Sequence, residues 1–170
     1  MPPHSIDRVV GVCKAYTTRV GEGPFPTEDD ALGDHFHQMG REFGATTGRK
    51  RRCGWLDLVM LRYAGMVNGF DELALTILDG LDDFAEIPVC TGYELDGRHL
   101  DLPPASSIDF GKVKPVYETL PGWQTDITAV RQFDELPENA KAYLDRIEEL
   151  VGSPVKSVGV GPDREQTLVR

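Results

Sequence analysis

The chain has 170 residues, 40% of them hydrophobic and 27% charged. This is the composition of an ordinary globular protein, long enough to bury roughly 70% of its unfolded surface. Its net charge of −10 argues against a general nucleic-acid binder or a protein that coats anionic membranes, because both need a broad basic face. No apolar run approaches about 18 residues and no signal segment is visible, so we expect a cytoplasmic protein without a membrane span. Three widely spaced cysteines without a CxxC motif indicate reduced thiols, not a disulfide frame or a metal site.

The first predicted element is a strand followed by a loop. Residues 8–16 are rich in β-branched side chains, which predicts a strand or a passage from helix into strand. The glycines and prolines of residues 17–26 predict a loop. Arg19 in that loop is either a second anion contact or an ordinary surface arginine, and the sequence leaves both open.

A helix is predicted from Thr27, as its N-cap, to about Gly40. Acidic residues in its first turn suit the positive end of the helix dipole. We expect its buried face to carry Leu32, Phe36 and Met39. His35 and His37 lie two positions apart and face different directions, so they cannot jointly chelate a metal and are predicted to be surface or half-buried histidines.

Residues 44–52 form the most distinctive stretch of the sequence. They read Gly-Ala-Thr-Thr-Gly-Arg-Lys-Arg-Arg, so four of the chain's 18 Lys and Arg residues are adjacent. Glycine lets backbone amides and the hydroxyls of Thr46 and Thr47 approach an oxyanion, and guanidinium groups can fork onto carboxylate or phosphate oxygens. A solvated basic turn or a nucleic-acid patch is the plainer interpretation of four cations. The small-residue half favours a site for small anionic ligands.

A second helix is predicted within residues 55–67, which would place the basic loop beside a helix N-terminus that attracts anions. Its apolar face is expected to contain Leu56, Val59, Met60, Tyr63 and Val67. Residues 72–79 then read as a buried strand ending in Asp79. Open α/β sheets place ligand contacts just past such strand ends, but an N-cap or turn role for Asp79 explains the pattern equally well.

The remaining elements complete a mixed α/β order. Asp96-Gly97 between residues 87–95 and 98–102 predicts a β-hairpin. Another strand is expected at residues 112–119, a helix from Leu136-Pro137-Glu138 to its C-cap Gly152, and strands at residues 154–160 and 166–169. The helix should bury one face, formed by Ala140, Tyr143, Leu144, Ile147 and Val151.

Common catalytic and nucleotide motifs do not occur. The chain has neither a GxxxxGK[ST] phosphate loop nor a GxSxG nucleophile turn. The Gly-Val-Gly of residues 159–161 is too common to indicate a dinucleotide site. The residues alone therefore establish an α/β protein with an anion-binding loop.

Six stretches resemble, in order and over nearly the whole chain, motifs of the adenylosuccinate synthetase family. They are KAYTTRVG at 14–21, GPFPTE at 23–28, EFGATTGR at 42–49, GWLD at 54–57, YETLPGW at 117–123 and GPDR at 161–164.

This resemblance implies the C-terminal part of a P-loop-NTPase-like α/β fold, with a mixed sheet, flanking helices and a β-hairpin insertion. Residues 1–170 would then form a single incomplete domain. The family joins IMP to L-aspartate with GTP and Mg²⁺, through 6-phosphoryl-IMP, in AMP biosynthesis. Its full-length members are expected to be homodimers, with no nucleic-acid or membrane partner.

The resemblance also implies roles for particular residues. Arg49 falls at a position that also contacts IMP, and Arg51 at one that also contacts GTP. Asp79 would accept hydrogen bonds from guanine N1 and the amino group, whereas Ile77 stands where a compared family member has lysine, which removes a packing contact with the base. The aspartate loop corresponds to Ala45, Thr46, Thr47, Gly48, Arg49, Lys50 and Arg51, and the guanine-side segments to Ile77, Leu78 and Asp79 and to Gly159, Val160 and Gly161.

By the same resemblance, the phosphate loop, the catalytic aspartate and the catalytic histidine belong to an N-terminal half that this sequence does not contain. We therefore assign no catalytic residue and no metal ligand here, and expect a piece of a longer chain that is inactive alone. A non-catalytic nucleotide-binding or assembly module is the alternative, and RNA binding through Arg49 to Arg52 is a third. Missing sheet neighbours would leave open strand edges and exposed apolar surface.

Overall fold

The computed structural model describes residues 5–170 and has the expected α/β fold with mixed sheets, flanking helices and an inserted hairpin. It divides into two compact units, the first formed by residues up to 15, 61–87 and 120–170, and the second by residues 16–60 and 88–119.

The elements follow the expected order along the chain. They are β1 (Val10–Lys14), β2 (Thr17–Arg19), α1 (Asp30–Gln38), β3 (Arg52–Gly54), β4 (Leu56–Asp57), α2 (Leu58–Asn68), β5 (Glu72–Thr76), β6 (Glu86–Leu95), β7 (Arg98–Leu100), α3 (Ser107–Phe110), β8 (Lys114–Pro121), α4 (Glu138–Val151), β9 (Val155–Gly159) and β10 (Thr167–Val169). Short 3-10 helices lie at Leu78–Leu81, Phe133–Glu135 and Arg164–Gln166.

The first unit is built on a four-stranded sheet with the order β1-β5-β9-β10. β1, β5 and β9 are parallel, and β10 is antiparallel to β9. Helix α4 contacts β9, and the hydroxyl of Tyr143 donates to the carbonyl of Ala15 at 2.7 Å. Because β5 and β9 run in the same direction, the segments that follow them leave from one edge of the sheet. Both predicted guanine-side segments begin there.

The second unit contains a sheet of β4, β6, β7 and β8, and a separate ribbon of β2 and β3. Its apolar cluster is formed by Val59, Cys90, Tyr93 and Val113. The predicted hairpin is confirmed, since β6 and β7 pair antiparallel with Leu95 opposite Arg98. Its two turn residues, Asp96 and Gly97, both have positive φ, as a two-residue hairpin turn requires.

Two glycines allow backbone contacts that no other residue would permit. A Cβ on Gly54 would collide with the carbonyl group of Thr27, and a Cβ on Gly122 would collide with the carbonyl oxygen of Phe84. Each glycine precedes a tryptophan in the motifs GWLD and YETLPGW. These motifs therefore contain residues required by close packing.

The first helix differs from its prediction at both ends. Asp29, not Thr27, is the N-cap, because its carboxylate accepts from the Leu32 amide at 2.9 Å. The helix ends at Gln38, so Met39 lies outside it and is 41% exposed instead of buried. The segment predicted as a loop before it contains β2, which pairs with β3.

Of the face predicted to be buried on the second helix, Leu56 and Val59 are buried, but the other three residues are not. Leu58 and Val59 are its buried residues, whereas Met60, Tyr63 and Val67 are exposed. The helix is apolar around most of its circumference, so the period of its sequence does not single out one face. The four-residue helix α3 was not predicted from the sequence.

None of the helices formed by residues 5–170 is both long and apolar enough to cross a membrane.

The exposed edge of β1 should promote self-association. Within residues 5–170, β1 pairs only with β5, and Val12 is 74% exposed. We expect Val12→Lys to reduce concentration-dependent association, because a charged side chain on an edge strand opposes strand addition. Sedimentation velocity over a concentration series measures this.

Ala105→Lys, in an exposed loop, is the charge-matched control and should leave association unchanged. Equal effects of the two substitutions, or a parent chain that stays monomeric throughout, would contradict the role assigned to β1.

Candidate functional site

Residues 43–50 form a closed turn with an exposed tip. Phe43 and Lys50 make a β-bridge at its base, and the Gly44 amide donates to the Arg49 carbonyl at 2.8 Å. The Gly48 amide donates to the Gly44 carbonyl at 2.9 Å, and Gly48 has φ of +62°. Ala45, Thr46, Thr47 and Gly48 are all exposed. The structure thus presents the predicted anion-binding loop as a tip that a ligand can reach.

The four adjacent cations have different environments. Arg49 is exposed and its side chain has no ion pair within residues 5–170. Lys50 lies 3.9 Å from the Asp34 carboxylate, and both side chains are largely exposed, so this contact adds little stability. Arg51 and Arg52 are both half-buried and each pairs with a glutamate from another segment.

Arg52 is committed to internal contacts. Its Nε and Nη2 atoms donate to the two carboxylate oxygens of Glu28, each at 2.5 Å. Its Nη1 atom donates to the carbonyls of Gly21 and Gly23 at 3.2 and 2.9 Å. The hydrogen bond between Arg52 and Glu28 lowers the pKa of Glu28 and raises the pKa of Arg52, so both side chains stay ionised. Arg52 therefore holds the loop of residues 20–28 in place.

Arg19 is likewise used within its own loop. Its Nη1 atom donates to the Pro24 carbonyl at 2.7 Å, and its Nη2 atom donates to the Glu22 carbonyl at 2.8 Å. With both ends of the guanidinium engaged, the structure does not favour the second anion contact that the sequence allowed. Arg19 and Arg52 together fix the loop after β2.

Arg51 lies beside a buried carboxylate that sequence analysis did not single out. The Glu42 side chain is 3% exposed, and its Oε2 atom accepts from Arg51 Nη1 at 3.3 Å. Its Oε1 atom accepts from the Tyr16 hydroxyl at 2.6 Å. Glu42 has φ of +57°, a left-handed conformation that costs a non-glycine residue about 1–2 kcal/mol. A positive φ cannot be read from the residue name, so the sequence carried no signal for it.

Contrary to the prediction, the basic loop does not lead directly into the N-terminus of α2. Strands β3 and β4 stand between Arg51 and the start of α2 at Leu58. The neighbouring helix is α1, and an open pocket of about 370 Å³ lies between it and residues 50–53. His37 and two α1 carboxylates, Asp30 and Asp34, line this pocket. His37 is half-buried, as predicted.

The two guanine-side segments lie together in the first unit, whereas the basic loop belongs to the second. Leu75 of β5 is paired with Val158 of β9, and the backbone of Gly159 packs against Thr76 and Ile77. Asp79 is buried within the 3-10 helix Leu78–Leu81. The N-cap position of that helix is Ile77, so of the two local roles considered for Asp79 the N-cap is wrong and the turn residue is confirmed.

Ile77 has an unusual backbone conformation. Its φ of +59° and ψ of +41° are left-handed, which is rare for a β-branched residue. This residue turns the chain from β5 into the helix that contains Asp79. Backbone strain of this kind persists only where surrounding packing enforces it.

Asp82, the C-cap residue of the same helix, connects it to residues 123 and 127. Its Oδ1 atom accepts from Trp123 Nε1 at 2.7 Å, and its Oδ2 atom accepts from the Ile127 amide at 3.1 Å. Burial raises the pKa of Asp82 to about 6, although these two hydrogen bonds act against the increase. The motif YETLPGW singled out Trp123 in the sequence, but no sequence pattern indicated that Asp82 is its partner.

The four cations should contribute unequally to stability. We expect Arg52→Ala to lower the free energy of unfolding by about 1–3 kcal/mol, since Glu28 and two carbonyls lose their donors. Arg49→Ala should change it by less than about 0.5 kcal/mol, because that side chain is exposed and has no ion pair within the described residues. Urea denaturation followed by tryptophan fluorescence measures both, and equal losses would refute this division.

Asp82 should make stability fall as pH rises. Its pKa of about 6 in the folded chain exceeds the ordinary value of 3.8, so the folded state binds the proton more tightly. This contribution is fully present below pH 3.8 and is lost as pH rises through 6. Asp82→Asn should flatten the difference between unfolding free energies at pH 4 and pH 7. An Asp134→Asn control removes an exposed carboxylate that does not act on the pKa of Asp82, and it should leave that difference unchanged.

Curated proteins related to this chain share its sequence over its full length. Adenylosuccinate synthetase of Schizosaccharomyces japonicus is 53% identical over 171 residues, which is 100% of this chain and 39% of that protein. Adenylosuccinate synthetase of Myxococcus xanthus is 57% identical over 168 residues, covering 98% of this chain and 38% of that protein. The chain thus spans about two-fifths of the length of the relatives it matches.

A solved structure has the same fold. The chain aligns over 100% of its length with fully ligated adenylosuccinate synthetase from Plasmodium falciparum, at a TM-score of 0.95 and 41% identity, and covers 41% of that chain. The sequence model of the family described as adenylosuccinate synthetase matches residues 1–168. The chain belongs to the adenylosuccinate synthetase family.

Proposed function

We propose that this chain supplies substrate-binding residues for the ligase reaction of its family. In that reaction GTP, IMP and L-aspartate yield adenylosuccinate, GDP and phosphate, in the cytoplasm and as part of AMP biosynthesis. The chain corresponds to 38–39% of the length of two related synthetases, so the activity would depend on further polypeptide. As in the family resemblance, a homodimer would be the working assembly.

The guanidinium of Arg49, exposed and without an ion pair within residues 5–170, is the observation that carries this proposal. Adjacent cations are ordinarily neutralised by nearby carboxylates, as Arg52 is by Glu28. Arg49 instead stands on an accessible tip, where its donors can fork onto a carboxylate of aspartate or an oxygen of IMP. Arg51, 32% exposed and oriented by Glu42, would donate to GTP. Both cations are always charged, so they can stabilise negative charge that develops during phosphoryl transfer.

In the first unit, Asp79 would read guanine. Its carboxylate can accept from both N1–H and the exocyclic amino group, a pattern that adenine does not offer. The backbone of residues 159–161, next to Ile77, would line the same base. Backbone contacts of this kind tolerate valine at position 160.

Magnesium does not enter the chemistry assigned to these residues. Within residues 5–170, no group of three or more His, Cys, Asp or Glu side chains could hold a metal ion. The comparisons do not favour the alternative of a non-catalytic module.

Binding and complementation test this function separately. The chain alone should bind GTP by calorimetry but form no adenylosuccinate from GTP, IMP, L-aspartate and Mg²⁺. Co-expression with the part of the Myxococcus xanthus relative that this chain does not match should restore turnover. Arg49→Ala should abolish the restored activity, and Lys156→Ala, which removes the same charge from an exposed position on β9, should preserve it. Failure to bind GTP and failure to complement would together refute the proposal.

Base selectivity should change if Asp79 reads guanine. Asp79→Asn replaces one acceptor oxygen with a donor amide, which matches the 2-oxo group of xanthine better than the 2-amino group of guanine. We expect binding to shift from GTP toward XTP by at least about tenfold. Fluorescence competition with both nucleotides measures the ratio. Asp83→Asn is the neighbouring control and should keep the parent preference; an unchanged ratio in Asp79→Asn would exclude the assigned contact.

A further inference from the structure

Glu42 contacts Arg51 through both its backbone and its side chain. The Arg51 amide donates to the Glu42 carbonyl at 2.8 Å, and Arg51 Nη1 donates to the Glu42 carboxylate at 3.3 Å. Two contacts between the same pair fix both the path of the chain and the direction of the guanidinium. A surface ion pair would give neither.

The other side of Arg51 is held as well. His37 Nε2 lies 3.1 Å from the Arg51 carbonyl, and Cys53 Sγ lies 3.4 Å from the same oxygen. Since a carbonyl can only accept, His37 carries a proton on Nε2. The Arg51 backbone is therefore fixed at its amide and its carbonyl. The torsions of its long side chain remain to be fixed, and Glu42 is the charged group that contacts it.

Tyr16 in turn orients the Glu42 carboxylate. Its hydroxyl donates to Oε1 at 2.6 Å, and its ring stacks on Phe36 with 4.0 Å between ring centroids. Burial and the hydrogen bond to Glu42 raise the pKa of Tyr16, so the hydroxyl remains a donor. The chain of contacts runs from a buried ring, through a buried carboxylate, to a guanidinium that reaches the surface.

We propose that Glu42 is a positioning residue that aims Arg51 at the anionic ligand of the basic loop, with Tyr16 fixing the carboxylate. This rests on the proposed function only for the identity of the ligand, GTP. A carboxylate next to a ligand-binding arginine lowers the local positive charge. Glu42 therefore assists binding through orientation, because it restricts the guanidinium before the ligand arrives.

Glu42→Gln separates orientation from shape. Glutamine fills the same volume, but its amide presents one acceptor and one donor to Tyr16 and Arg51, so one contact is lost. We expect GTP affinity of the chain, measured by calorimetry, to fall about tenfold even though a negative charge has been removed. Tyr16→Phe keeps the buried ring and should give a smaller loss in the same direction.

Glu28→Gln is the matched control. Glu28 also pairs with an arginine of the same run, Arg52, but that arginine donates to loop carbonyls. The control should lower the free energy of unfolding and leave GTP affinity within about twofold. Equal losses of affinity in Glu28→Gln and Glu42→Gln would show a general structural effect and would overturn the positioning role.

A double-mutant cycle and side-chain NMR complete the test. In an Arg51→Gln background, Glu42→Gln should have no further effect on GTP affinity, whereas a structural role would lower it again. NMR of the Arg51 guanidinium should show restricted rotation in the parent and faster rotation in Glu42→Gln, with or without nucleotide. If the parent does not bind GTP, the nucleotide assignment fails, and the NMR comparison still decides the role of Glu42. Unchanged Arg51 mobility in Glu42→Gln would refute it.

Discussion

Mutual repulsion of four adjacent cations is the constraint around which the second unit is arranged. Coulomb repulsion between neighbouring guanidinium groups would extend or splay a free loop. Carboxylates from earlier segments reduce this repulsion: Glu28, before α1, pairs with Arg52, and Glu42, after α1, pairs with Arg51. Each takes one arginine of the run, and the intervening segment must fold so that both are in place. Among residues 5–170, the cation of the run that has no ion pair is Arg49, on the exposed tip.

This arrangement gives two arginines a part in local stability. Arg52 and Arg19 donate to carbonyls of residues 21–24, which lie outside the helices and strands of the chain. The ribbon of β2 and β3 carries both arginines as opposite partners in its register. A cation that looks like a ligand contact in sequence thus serves as a backbone donor. Neighbouring positions in one run have separate physical functions because alternate side chains of an extended segment point to opposite sides.

Much of the fold could be predicted from local sequence patterns. The hairpin at Asp96-Gly97 and the C-cap at Gly152 follow from turn chemistry that depends on adjacent residues only, and both are confirmed. The buried face of α2 was wrong at Met60, Tyr63 and Val67 because that helix is apolar around most of its surface, and burial is then decided by distant segments. Likewise, Asp29 replaced Thr27 as the N-cap, since both residue types are good caps and tertiary contacts chose between them.

The site shows the same limit. Residues 44–51 could be proposed as a site from sequence because glycine, threonine and arginine carry the relevant chemistry in their own side chains and backbone. Glu42 and Asp82 could not, since each matters through a partner far away in sequence, Tyr16 in one case and Trp123 in the other. The left-handed Ile77 was equally invisible.

Gly54 and Gly122 bear on how such a family can be recognised at all. Each lies in a tryptophan-containing motif that carried the resemblance, and each is required where two backbone segments touch. The glycines of GWLD and YETLPGW are therefore required by backbone packing, and this requirement does not depend on ligand binding. A match to these two motifs indicates the same fold. Ligand binding would depend instead on the side chains of residues 45–51.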